Sequence, residues 1–261
     1  MMYGFSSIGC PEFSLTETAL LAEKFELDFV ELRALGGTID LPAYFAGAEI
    51  EVPKSTKIQL VATNLHLMTA TDKEIDNFLQ YAAVADKLNA PFLRVFGGGQ
   101  WGDSLTESGL NHAVKVVQRC RAALDVKKSR SEMLLETHSM FSSSANCRRL
   151  NERLEDPIRI LWDTHHTWRS AGESPGESWR QIGSLVRHVH VSDSRAKKSE
   201  PSHQPYDCVL PGTGEYPMTQ LKELLIEINY IYGVSLEWEK LWHPHLSNVG
   251  EVLERFAKLM R

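Results

Sequence analysis

The chain has no long apolar run, no basic leader and no paired cysteines, and each absence closes off a class of protein. No stretch of its 261 residues approaches the roughly 20 consecutive apolar residues that a membrane-spanning helix needs. The opening MMYGFSSIGCPEF lacks the basic segment and apolar core of a signal peptide, so a cytoplasmic protein is expected. Cys10, Cys120, Cys147 and Cys208 are scattered and form no C-x-x-C pair, which excludes a zinc ribbon or a disulfide framework and points to reduced thiols. Basic charge is also short: the formal net charge is −6, which argues against a surface built to neutralise nucleic-acid phosphates. The triple glycine at 97–99 lacks the spacing of a dinucleotide fingerprint, and no other phosphate-binding motif stands out.

What is present is alternation. Short apolar runs at 2–8, 28–35, 57–66 and 91–98 are followed by EMLLE (132–136), RILWD (159–163), VRHVH (186–190) and GVSLE (233–237). Helical spacing fills the intervals between them, notably from 71 to 88 and from 105 to 127. Ser14-Leu15-Thr16-Glu17 reads as a capping box at the first helix. Eight strands with eight helix-like connections, and no linker-like shift in composition, predict an α/β fold: a single (β/α)8 barrel domain over 1–261. The polar loops 99–108 and 195–208 both follow strands and would form walls of a pocket.

The last four runs close on Glu136, Asp163, His190 and Glu237. An ionisable group ending a buried strand is costly unless something binds it. Any one of them could simply bond a loop backbone, but four on consecutive strands converge on the carboxyl end of a barrel, where active sites lie. Three carboxylates and an imidazole suit a divalent cation such as Mn²⁺, Mg²⁺, Co²⁺ or Zn²⁺. His188 shares a strand face with His190 but sits deeper, so it reads as a core or supporting residue.

At these residues the chain resembles the xylose-isomerase-like barrels, a superfamily of sugar isomerases and epimerases. The matching pieces are LLETH, WDTHH, HVHVSD, PGTGE (211–215) and SLEWEKLWHP (235–244). The resemblance implies one divalent metal, commonly manganese, held by Glu136, Asp163, His190 and Glu237. It implies further that Glu136 and Glu237 act as the acid–base pair on an open-chain sugar or cyclitol. Epimerisation, aldose–ketose isomerisation and the dehydration of inosose-dehydratase-like lyases all fit the same ligands, and a non-catalytic sugar-binding barrel would keep them too. A homodimer is the assembly that analogy suggests; a nuclease of the endonuclease IV type would need more metal ligands and a basic groove. The chain departs from the ketose 3-epimerase pattern at Ser142, at Ser192 and at Arg195, which falls five residues after His190 where those relatives place arginine at six.

Several other residues are candidates for substrate contact. His66 and His166 could each hydrogen-bond a substrate hydroxyl or pack in place. Glu31 could bind substrate or pair with Arg94 across the barrel mouth. Trp101, Trp168 and Trp242 could wall a sugar ring or anchor loops. Arg195, with Lys197 and Lys198, could meet an anion or remain solvated.

Overall fold

The computed structural model describes residues 1–47, 56–100, 103–197 and 206–260. Seven parallel strands come first: β1 (Met2–Ser6), β2 (Phe29–Leu32), β3 (Lys57–His66), β4 (Phe92–Phe96), β5 (Glu132–Glu136), β6 (Arg159–Asp163) and β7 (Val186–Val191). A short antiparallel pair, β8 (Ser194–Ala196) and β9 (Tyr206–Cys208), stands outside the barrel, and β10 (Gly233–Leu236) closes it between β7 and β1. The expected eight-stranded α/β barrel is therefore the observed fold.

The outer layer consists of α1 (Leu15–Lys24), α2 (Leu41–Tyr44), α3 (Asp72–Leu88), α4 (Glu107–Lys127) and α5 (Ser144–Asn151), then α6 (Thr164–Ala171), α7 (Pro175–Ile182), α8 (Met218–Glu227) and α9 (Val249–Met260). Capping boxes start three of them. Ser14 with Glu17, Thr71 with Glu74 and Ser174 with Glu177 each satisfy amides that a helix N-terminus leaves bare. The main core lies between this layer and the outward faces of the strands, which explains why β2 and β10 are buried along their whole length.

Inside the barrel, alternate strand residues stack in layers. At the bottom the ring of Phe29 fills the space that Gly4 and Gly233 leave. A Cβ on Gly4 would stand 2.3 Å from that ring, and one on Gly233 2.9 Å from the ring of His188. Leu60, Ala62, Phe92, Leu134 and Leu161 form the next apolar plug. Two residues further along the same strands the side chains turn polar, and that layer is the barrel mouth.

Two elements differ from expectation. The residues straight after RILWD, which the alternation of runs did not mark as helical, form α6, with Asp163 as its N-cap. The loop at 195–208 begins and ends in the β8–β9 ribbon, and its middle lies outside the described residues.

Candidate metal centre

Strand register brings the quartet together. Asp163 pairs across to His190, His190 pairs across to Ser235, and Glu237 follows Ser235 by two residues on the same face. Hydroxyl clasps fix the strand ends. Thr137 Oγ1 accepts from the Asp163 amide at 2.8 Å and donates to the Asp163 carbonyl at 3.0 Å, while Thr164 Oγ1 donates to the His190 carbonyl at 2.9 Å. One ligand atom from each of Glu136, Asp163, His190 and Glu237 lies within 4.8 Å of the others, so the four residues singled out in the sequence are brought to one point.

The donor chemistry fits a cation. His190 Nε2 bonds Glu31 Oε2 at 2.8 Å, which leaves Nδ1 facing the quartet. That Nδ1 is buried without an aligned hydrogen bond, although Glu237 Oε2 is 3.2 Å away and Glu136 Oε1 is 3.7 Å away. A buried imidazole nitrogen among carboxylate oxygens is the arrangement a metal satisfies. Charge crowding points the same way. Burial, and the nearby Glu237 and Glu136, push the Asp163 carboxyl up to about 7 against the pull of His166. Burial likewise opposes ionisation of Glu136, but the Arg94 guanidinium at 2.6 Å, aided by His190, holds it well below the usual carboxylate range.

Glu31 occupies a place the sequence did not indicate. It pairs with His190 and His188 and accepts from Ser235 Oγ, all buried inside the barrel. The alternative Glu31–Arg94 pair is not formed, because Arg94 belongs to Glu136. Glu31 thus stands where a carboxylate would orient a metal-binding histidine through its far nitrogen.

Above the quartet lies a cavity of about 200 Å³, into which Glu136, Glu237, Arg94 and His166 open. The His166 backbone amide donates to Asp163 Oδ1 at 2.8 Å, and the His166 Nδ1 lies 3.3 Å from Asp163 Oδ2. Trp242 is on the wall, and His66 stacks on the wall residue Phe96 with ring centroids 5.0 Å apart. Arg195 is exposed and its guanidinium bonds the Thr213 carbonyl, so it does not line the cavity. Trp168 packs under Arg169 and against Tyr216. Trp101 and Lys198 lie outside the described residues. PGTGE folds around the buried Asp193 carboxylate, which accepts from the amides of Gly212, Gly214 and Tyr216.

Three cavity residues are not among those singled out in the sequence: Arg33, His138 and Glu239. His138 and Glu239 each fall two residues beyond a quartet member, so strand-like alternation past the strand end would have found them. Burial and the charge of His166 push His138 down to about 4, which keeps it neutral, and burial with Glu237 pushes Glu239 up to about 7.

A model of the xylose isomerase-like TIM barrels matches residues 26–259, and the chain belongs to that family. No curated protein matches it significantly in sequence. Among solved structures it resembles the probable 3-DHS dehydratase AsbF from Bacillus anthracis, involved in petrobactin synthesis, at 18% identity and a TM-score of 0.79, over 100% of this chain and 98% of that one. An IolI protein with a bound zinc atom superposes with a TM-score of 0.76 at 18% identity, over 99% and 96% of the two chains. D-psicose 3-epimerase from Clostridium cellulolyticum H10, in complex with D-tagatose, gives 0.68 at 13% identity, over 100% and 97%.

Proposed function

We propose that this chain is a divalent-metal-dependent isomerase or epimerase of a ketose, aldose or related polyol, working by proton transfer through an enediolate. The observation that carries the reading is the convergence of Glu136, Asp163, His190 and Glu237 beneath a polar cavity, with His190 Nδ1 left for a ligand. These four residues would hold one cation, with Mn²⁺ first among Mn²⁺, Mg²⁺, Co²⁺ and Zn²⁺. When bound it would serve as a Lewis acid towards the substrate's carbonyl and neighbouring hydroxyl, acidifying the adjacent C–H.

The chain's own residues supply the rest. Arg94 keeps Glu136 in the deprotonated form that can take a C–H proton once the carbon is acidified. Glu237, across the mouth, would enter the cycle protonated and give that proton to the other face while Glu136 keeps the one it took, so one stereocentre inverts with no net redox change. Return to the neighbouring carbon exchanges an aldose for a ketose. His166, braced on Asp163, would orient a substrate hydroxyl. Phe96 and Trp242 give the cavity apolar walls that limit water at the reacting carbon.

A lyase is the second reading, favoured by Glu239. This third carboxyl lines the cavity outside the quartet and could hand a proton to a departing β-hydroxyl. Turnover of ketoses, aldoses and inososes in D₂O by metal-analysed protein separates the two. Deuterium in the recovered or epimeric sugar is the expected result, whereas a product lacking one water identifies the lyase. Glu136→Gln and Glu237→Gln proteins that bind metal and keep full turnover would contradict the acid–base roles.

A further inference from the structure

Arg33 carries a charge that no direct ion pair among the described residues meets, although Glu136 and Glu237 act on it from across the cavity. It follows β2, is 6% exposed, and lines the same cavity as Glu136 and Glu237. Its guanidinium donates from Nη1 to Asn64 Oδ1 at 2.9 Å, an uncharged acceptor, and among the described residues it forms no ion pair. Arg94, the other guanidinium of the cavity, is spent on Glu136. Burying an unpaired guanidinium is costly, and packing alone would be served better by an apolar side chain.

The position of Arg33 is built. Asn64 Nδ2 donates to Tyr81 Oη at 2.9 Å, and Tyr81 Oη donates to the Ile39 carbonyl at 2.9 Å. This relay turns the Asn64 oxygen towards Arg33 and holds the guanidinium at the cavity wall. Burial and the like charge of Arg94 bring the Arg33 pKa down to about 10 against the pull of Glu136, Tyr81 and Glu237, and an anion bound directly to the guanidinium would raise it again.

We propose that Arg33 binds a carboxylate, and that the molecule handled at the quartet is a sugar acid or a related polyhydroxy keto acid. The proposal rests on the reading of the quartet as a polyol site and names the substrate class within it. A planar guanidinium fork matches a planar carboxylate through two parallel hydrogen bonds. A phosphate would normally call on the amides of a glycine-rich loop as well, and among the described residues no glycine lines this cavity.

Calorimetric titration of the metal-loaded protein with D-gluconate, D-glucitol and D-glucitol 6-phosphate tests it, with metal content measured on the same samples. Gluconate should bind at least about ten-fold tighter than glucitol, the scale of a hydrogen bond to a charged group. Arg33→Met should erase that preference and leave glucitol affinity and metal content unchanged. Arg33→Gln keeps a donor to Asn64 and repeats the test if the methionine protein does not fold. A gluconate preference that is absent, or that survives both substitutions, overturns the carboxylate site while polyol binding stands. An Arg33-dependent preference for the 6-phosphate over gluconate overturns it in favour of phosphate. Failure of the metal-loaded protein to bind any of the three ligands overturns the polyol reading along with it.

Discussion

At the scale of the residue, the site depends on side chains that aim other side chains. Glu31 and His190 are 159 positions apart, yet their contact decides which imidazole nitrogen faces the quartet. No local pattern could have shown that, because Glu31 lies on β2, far from β7 in the sequence, and only barrel closure brings it near. The quartet was legible since each member ends its own apolar run; the partner of each member was not. Glu31→Gln should preserve the fold and weaken Mn²⁺ binding by about ten- to a hundred-fold. A Mn²⁺ titration giving wild-type affinity for that variant would remove Glu31 from the account.

At the scale of the element, strand boundaries were read well where burial is two-sided. β3, β5 and β6 begin and end where their apolar runs do, because both faces of each strand need apolar side chains. α6 was missed since Asp163 does two things at once, ending β6 and capping the next helix through the His166 amide. The PGTGE turn depends on Asp193, which has no apolar periodicity to reveal it. Asp193→Asn would replace an acceptor with an NH₂ facing backbone amides, and should cost about 1–3 kcal/mol in urea unfolding. Capping boxes give the helices an acid sensitivity. Hydrogen bonds from the N-cap residues lower the carboxyl pKa values of Glu17, Glu74 and Glu177. A depressed folded-state pKa means stability that is complete above the unfolded value and is lost as pH falls through the folded one. The triple Glu→Gln protein should therefore show a flatter thermal midpoint between about pH 6 and about pH 3 than the wild type. Identical slopes would show that these caps do not contribute.

At the scale of the whole molecule, closure of the sheet is what turns four separate strand ends into one site. The apolar plug below them and the glycines beneath Phe29 set how narrow the barrel is, and so how near the quartet members lie. Eight alternating units made the barrel visible in the sequence, whereas Arg33, His138 and Glu239 become neighbours only across the closed mouth. Among the described residues no helix is long and apolar enough to cross a membrane. The central claim is that the barrel mouth holds one divalent cation on Glu136, Asp163, His190 and Glu237. It is tested most directly by titrating metal-stripped protein with Mn²⁺ and following the free ion by electron paramagnetic resonance. The wild type should take up one Mn²⁺ per chain with saturation, and the folded Asp163→Ala/His190→Ala protein should take up none over the same range. Saturable uptake that is unchanged in that variant, or absent in the wild type, would contradict it.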